Sequence, residues 1–341
     1  MIQIFSMASP LKPLFTAFTN LSETEKKQFV QLVFDSLSED LSLESMRKNA
    51  TDRKRKECPH CSSSLIYANG KLKGMQRYKC RGCLKNFSDS TGTALASIKK
   101  SNLWITYIRC MFEGKSLIEC ASATGISKQT SFDWRHKILA KLRHEAPESF
   151  SGICELDDVF FTYSEKGSRK LTRKPRKRGN DGISEGISKD KVTVLLSCDR
   201  SKKKDIQVIR RGRICKKDLD KAVGKRLKKG TILCTDSHRS FTGFAKEKKF
   251  TVKNIHARSG QHVVNKIYHI QHVNQMAQGL KKWMDKFNGV ATKYLQNYMN
   301  WYMMLDKMKN NSTPIKAFTL AVLAAPTVIG SKSDIIATYV N

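Results

Sequence analysis

The sequence predicts a multidomain chain: a small cysteine-bearing ribbon, then a helical unit, then an α/β domain built on a mixed sheet. Three observations carry this reading. Two close cysteine pairs sit early in the chain, helical periodicity follows them, and apolar strands alternate with helices from residue 152 onward. A length of 341 residues leaves room for two or three ordinary domains, and a hydrophobic share of 40% suffices for globular cores.

Charge narrows the class of partner. Lys and Arg number 63 against 30 Asp and Glu, a formal +33. Self-repulsion on that scale opposes a compact chain unless a polyanion shares the space, and nucleic acid is the commonest polyanion. A small basic structural protein would be shorter and less apolar. The basic residues are not confined to one amphipathic helix, which argues against a membrane-surface role. The first twenty residues lack a basic start followed by an unbroken apolar run. The apolar stretch 317–330 is too short to span a bilayer and contains Pro326. The expectation is a cytoplasmic protein with no membrane partner.

Residues 1–50 form a helical N-terminal segment in this reading. Ser22 and Glu25 have the spacing of a capping box, and Phe29, Val30, Leu32, Val33 and Leu37 recur at helical intervals after it. The basic run Arg53-Lys54-Arg55-Lys56 opens the next unit, residues 51–95. There Cys58/Cys61 and Cys80/Cys83 are two C-x-x-C pairs separated by 18 residues. Each pair presents two thiolates from a tight turn, and two pairs complete a tetrahedral site for Zn²⁺. Residues 65–67 and 76–79 read as short strands of a zinc ribbon. Four cysteines leave no open position, so the metal is expected to be structural. His60, inside the first knuckle, is either a substitute ligand or a solvent- or phosphate-facing residue. The other six cysteines (Cys110, Cys120, Cys154, Cys198, Cys215, Cys234) lie in apolar contexts and are expected to be small core residues.

Residues 96–148 read as a helix-turn-helix. Ser116 opens a helix, Ala121 allows a close crossing, Gly125 supplies the turn, and Ser127 caps a second helix running from Lys128 to about Leu142. Trp134 and Ile138 face inward at i, i+4. Lys128, Gln129, Asp133, Arg135 and His136 are then available to a DNA groove, where the second helix of such a unit normally sits.

Residues 149–305 read as the catalytic domain. Strands are expected at 152–161, 191–198, 205–211 and 231–237, with a crossover helix at 216–228. Acids lie on the first and fourth strands. That order is what an RNase H-like core needs, and it sets Asp157 beside Asp236. Neighbouring carboxylates are costly unless cations share them, and two Mg²⁺ ions about 4 Å apart would both pay that cost and support phosphoryl transfer. The helix 270–287 offers Asn274 as a third oxygen donor and, two turns on along the same face, Lys281 for a DNA phosphate. His269 and His272 flank Asn274 as either ligands or surface residues. Asp158 points to the opposite strand face from Asp157 and is given a salt-bridge or support role. A basic insertion, 163–190, follows the first strand. Eight cations lie between Lys166 and Arg178, among them Arg173, Lys174, Arg176, Lys177 and Arg178, and suggest a phosphate-tracking loop. Residues 306–341 read as a C-terminal tail without a legible pattern.

Taken in order, these residues resemble a known family. Cys58/Cys61 and Cys80/Cys83, Thr91-Gly92-Thr93, the segment 130–136, Glu155-Leu156-Asp157-Asp158, Arg173 to Gly179, Thr235-Asp236, His272-Val273-Asn274, Leu280-Lys281 and the segment 287–295 are similar to the bacterial insertion-sequence transposases of the ISXO-like group, in the DDE superfamily. The resemblance spans about residues 55–305. It implies a catalytic set of Asp157, Asp236, Asn274 and Lys281, with Asp157, Asp236 and Asn274 holding Mg²⁺ or Mn²⁺. It implies double-stranded DNA as substrate, both transposon ends and target, and strand cleavage followed by strand transfer. Assembly as a homo-oligomer on DNA, and association with the nucleoid, are further implications. Two alternatives stay open: a zinc-ribbon and helix-turn-helix regulator with an inactive catalytic domain, and a nuclease without strand transfer.

Overall fold

The computed structural model describes residues 11–30, 57–72, 75–88, 90–96, 98–142, 146–172, 188–256, 259–311 and 313–324. The chain divides into two compact units, residues 1–55 and 56–341. In the first, helix α1 (Leu11–Thr19) precedes a second helical stretch over 23–30. The capping box forms as its spacing predicts: the Glu25 carboxylate accepts from Ser22 N–H at 2.9 Å, and Ser22 Oγ accepts from Glu25 N–H at 3.3 Å. Helix α1 itself was not legible. Phe18 from its last turn meets Phe29, ring centroids 5.6 Å apart. Leu32, Val33 and Leu37 lie outside the described residues.

The second unit opens with a three-stranded antiparallel sheet, β1 (Ile66–Leu72), β2 (Met75–Cys80) and β3 (Asn86–Ser88). The third strand is too short to show a pattern in sequence, and it pairs with β2 because Phe87 inserts beside Tyr78 and the cysteines.

Three helices follow: α2 (Trp104–Phe112), α3 (Leu117–Thr124) and α4 (Lys128–Lys141). Local chemistry sets the α3–α4 junction, with Gly125 and Ser127 in the roles expected of them. Ser116 and Glu119 form a complete capping box, Gly125 takes the left-handed conformation at φ 61°, and Ser127 Oγ accepts from Thr130 N–H at 3.1 Å. Trp134 and Ile138 are buried.

The α/β part is a five-stranded sheet in the order β6-β5-β4-β7-β8, where β4 is Ile153–Thr162, β5 Lys191–Asp199, β6 Lys204–Arg211, β7 Ile232–Asp236 and β8 Thr251–Ile255. Strands β4, β5 and β6 pair antiparallel, and β4, β7 and β8 pair parallel. This mixed sheet, with its first and fourth strands side by side, is the arrangement expected of an RNase H-like core. One face is covered by α5 (Lys216–Ala222) and α6 (Arg239–Glu247), where Cys154, Leu156, Leu195, Leu219, Leu233, Phe241 and Phe244 are buried together. Helix α7 (Gln271–Asp285) packs on β4 and β5.

Three details depart from expectation. The crossover helix stops at Ala222 rather than Lys228, because Val223 leaves helical geometry ahead of Gly224 and a short 3₁₀ turn follows. A fifth strand and helix α6 were not read, since β8 is a half-exposed edge with little apolar signal. Residues 306–324 are not a tail. Helix α8 (Leu295–Met308) runs into a turn, and α9 (Pro314–Ala324) packs back on α2 and α4, burying Phe318, Val322 and Leu323. Residues 325–341 lie outside the described residues. Among the described residues no helix is long and apolar enough to cross a membrane.

Candidate functional site

The four ribbon cysteines come together. Cys58 Sγ lies 3.7 Å from Cys83 Sγ, and Cys61 Sγ 3.6 Å from Cys80 Sγ, with all four sulfurs within 4.8 Å of one another. A tetrahedral site with Zn–S bonds of about 2.3 Å has S–S edges of about 3.8 Å, so the sulfur frame has the dimensions of a zinc site. All four are free thiols. Backbone N–H groups turn toward the sulfurs: His60 N–H toward Cys58 at 3.4 Å and Gly82 N–H toward Cys80 at 3.3 Å. The Cys83 N–H leads the effects that hold the Cys80 thiol down to about 6. Against the pull of Ser63 N–H, the neighbouring sulfurs and burial push the Cys61 thiol up to about 12, so the crowded sulfurs do not all ionise without a cation among them. Among the other six cysteines, only Cys215 is less than fully buried, as expected of core residues.

The helix-turn-helix reading needs correction at two residues. Arg135 and His136 do not face outward. Arg135 is 0% exposed, donates from Nη2 to Lys115 O at 2.6 Å, and places its guanidinium 5.1 Å from the Trp301 ring centroid. His136 stacks against Tyr294, centroids 3.9 Å apart, and burial drives its pKa down to about 3, so it is a neutral ring. Both are covered because α8 and α9 pack on the side of α4 that an isolated helical pair would expose. Lys128, Gln129 and Asp133 remain exposed, with Gln129 donating to Asp133 at 3.1 Å. Removing a buried cation from such contacts leaves its polar partners unpaired. Arg135→Ala is therefore expected to destabilise the fold by about 3 kcal/mol, whereas Lys128→Ala should leave stability within about 0.5 kcal/mol. Chemical denaturation of the two variants checks this; equal midpoints would refute it.

The carboxylates follow from sheet register. In the parallel pair β4–β7, Glu155 is level with Cys234 and Leu156 with Thr235, which sets Asp157 level with Asp236 one step on. Paired residues share a face, and alternation puts Glu155, Asp157, Cys234 and Asp236 on the side away from α5 and α6. Asp157 and Asp236 are both half-buried. Burial, reinforced by the negative charge of Asp236, pushes the Asp157 pKa up to about 6 against the opposing pull of Asp158 N–H and Lys281. Asp157 Oδ1 accepts that N–H at 2.9 Å. Asp158 stands on the face of Cys154 and Leu156. Its pKa is raised to about 7 by burial first and then by Asp157 and Asp236, with Arg213 as the opposing cation. Asp236 Oδ1 accepts from His238 N–H at 3.2 Å, bracing the turn into α6. An oxygen-donor set with crowded negative charge suits a hard divalent cation.

On α7, Val273, Met276, Ala277, Leu280, Trp283 and Met284 are buried, while Asn274 and Lys281 are exposed on one face. The helix packs on β4 and β5, and its Val273 N–H reaches Glu155 on the strand face that also carries Asp157, with Lys281 among the charges felt at Asp157. His269 and His272 do not join Asp157 and Asp236; their Nδ1 atoms lie 3.6 and 2.7 Å from Glu155 Oε1. Glu155 had no assigned role, and its place two residues before Asp157 was the available signal. Of the insertion, Lys166 donates from Nζ to Asn288 O and Gly289 O, both at 3.0 Å. Arg173, Lys174, Arg176, Lys177 and Arg178 lie outside the described residues.

Comparison with known proteins places this geometry. Residues 149–302 match the model of the ISXO2-like transposase domain. A protein of Halobacterium salinarum, described as an uncharacterized protein in transposable element ISH50, is 23% identical over 253 residues, covering 72% of this chain and 84% of that one. Among solved structures, a pre-cleavage Mos1 transpososome aligns at 11% identity and TM-score 0.20, over 65% of this chain and 78% of that chain. The Mos1 strand transfer complex aligns at 10% identity, with the same TM-score of 0.20 and the same coverages of 65% and 78%.

Proposed function

We propose that this chain, whose residues 149–302 match the ISXO2-like transposase domain, is a transposase that binds the terminal inverted repeats of an insertion sequence and catalyses metal-dependent DNA strand cleavage and strand transfer. The observation that carries this reading is the register that sets Asp157 level with Asp236 on adjacent parallel strands, on the sheet face where the helix bearing Asn274 and Lys281 packs.

Asp157, Asp236 and the amide oxygen of Asn274 would hold the divalent metal. Two Mg²⁺ or Mn²⁺ ions held there would supply Lewis-acid activation of the attacking oxygen and stabilisation of the leaving one. In cleavage, a water oxygen forms a bond to phosphorus as the P–O3′ bond breaks, freeing a 3′-hydroxyl at the transposon end. In transfer, that hydroxyl attacks a target phosphodiester, its proton is released, and the target P–O3′ bond breaks. Lys281 neutralises a phosphate close to Asp157.

The ribbon, with Zn²⁺ on Cys58, Cys61, Cys80 and Cys83, and the exposed start of α4 with Lys128 and Gln129 bind the ends. The cations Arg173, Lys174, Arg176, Lys177 and Arg178 follow the backbone of either DNA. The net charge of +33 supports a polyanionic partner. The protein acts as a homo-oligomer that holds paired ends.

Incubating the protein with duplexes of its own end sequence and a target plasmid, with and without Mg²⁺, tests the proposal. Joined products that require the metal are expected. Nicks without joined products would favour a nuclease, and end binding with neither product would favour a regulator.

A further inference from the structure

Glu155 is 1% exposed, yet its carboxylate serves no hydrophobic purpose in β4. A buried carboxylate is costly unless each oxygen is satisfied. Here Oε2 accepts from Val273 N–H at 3.0 Å. Oε1 forms an ion pair with Arg200 Nη1 at 2.7 Å and meets His272 Nδ1 at the same distance of 2.7 Å. Arg200 also donates to Ile267 O at 3.2 Å, so the loop entering α7 is tied to the same group.

The first turn of a helix exposes N–H groups that need acceptors and carries the positive end of the helix dipole. In α7 the N-cap position is Ile270, whose side chain supplies no acceptor. His269 Nδ1 accepts from Gln271 N–H at 3.2 Å, but the acceptor for Val273 N–H comes from another strand: it points at Glu155, whose carboxylate sits at the helix start. Val273 immediately precedes Asn274, and Glu155 lies two residues before Asp157 on the same strand face.

We infer that Glu155 is a positioning residue that fixes the first turn of α7, and with it Asn274, against Asp157 and Asp236. This rests on the proposed metal-binding role of those three residues. The strand carrying one donor thus also sets the helix carrying another, so both move as one body. A displacement of about 1 Å in such a constellation can cost about a hundredfold in rate. Glu155, His269 and His272 form a cluster that can also be read as a metal site. Arg200 argues against that reading. Its Nη1 lies 2.7 Å from Glu155 and 2.5 Å from His272 Nδ1, so a cation already stands where the ion would go.

The test uses the full chain and the variants Glu155→Ala and Glu155→Gln. Amide exchange followed by mass spectrometry reads the helix start, and Mn²⁺ titration by electron paramagnetic resonance reads the donors, both without DNA. Glu155→Ala should speed exchange over 271–275 about tenfold, leave 192–198 unchanged, and weaken Mn²⁺ binding about tenfold. Glu155→Gln keeps an oxygen for Val273 N–H and should recover most of the exchange protection. If the alanine variant does not fold, the glutamine variant with Arg200→Met as its pair carries the same comparison, the latter loosening the helix start less. Unchanged exchange over 271–275, or faster exchange spread through the sheet, overturns the inference. A tightly bound zinc beyond the ribbon's, lost in His269→Ala, also overturns it in favour of a metal site. If the expected exchange and Mn²⁺ changes appear in a protein that cleaves no DNA, the positioning role stands and the transposition reading fails.

Discussion

Asp157→Asn is expected to lower strand cleavage by at least about a thousandfold while end-DNA affinity stays within about twofold. A metal contributes several kcal/mol of charge stabilisation to phosphoryl transfer, and each ~1.4 kcal/mol is a factor of ten. The substitution keeps the shape of the side chain and its acceptor for Asp158 N–H but removes the charge. In the proposed division of labour end binding rests on other segments and should be untouched. Single-turnover cleavage and fluorescence anisotropy on the same duplex check the two halves; parallel loss of both would mean that the carboxylate supports the fold rather than the chemistry.

The same substitution has a signature in stability. Burial and Asp236 push the Asp157 pKa up to about 6, above its unfolded value of about 3.9. Between those values the folded state binds more protons than the unfolded one. Without divalent metal, this group therefore costs the wild type stability as pH rises from about 4 to about 6, and the cost persists at neutral pH. Metal-free Asp157→Asn should melt above metal-free wild type at pH 7.5, and Mg²⁺ should reverse the order by stabilising only the wild type. Identical melting curves for the two proteins with and without Mg²⁺ would remove the carboxylate from the metal site.

Zinc removal is the second large effect. The ribbon core consists of Cys58, Cys80 and Phe87 with Ile66, Tyr78 and Cys83 against them, far too little apolar area to hold three short strands. Structural zinc in small modules contributes about 10–16 kcal/mol, and that binding energy is their folding energy. Chelation, or Cys80→Ser, should unfold residues 57–88, collapse the dispersion of their amide resonances, and weaken specific end binding. The α/β core is separately packed around Phe150, Leu156, Leu233 and Phe244 and should retain its dispersion. Retained ribbon resonances after complete chelation would show that the strands stand without metal.

The proposed transposition would unite the elements that the sequence displays separately. The charge, the ribbon, the helical pair and the paired acids each have bland readings. The matched domain over 149–302 and the sheet register that sets Asp157 level with Asp236 give them one common explanation. In the proposed site Asn274 is the one neutral donor, on an exposed helix face, and the inferred clamp at Glu155 would restrict where that face can be.

What the sequence by itself determined is what depends on near neighbours in the chain. The capping boxes at Ser22 and Ser116, the left-handed Gly125, the Ser127 cap and the cysteine knuckles rest on contacts within about four residues. The apolar strands β5 and β7 were legible because burial on both faces leaves a continuous run. Tertiary structure alone decided the rest. Arg135 and His136 read as groove-facing on a lone helix, and only the return of α8 and α9, more than 150 residues later, covers them. Helix α9 was invisible because its apolar residues make sense only against α2 and α4. Glu155 read as one acid among several, and its function as a cap appears only when a helix 118 residues away brings an unpaired N–H to it. Local hydrogen bonding and periodicity are written in adjacent residues, whereas which face of an element is covered is settled by the elements that pack on it.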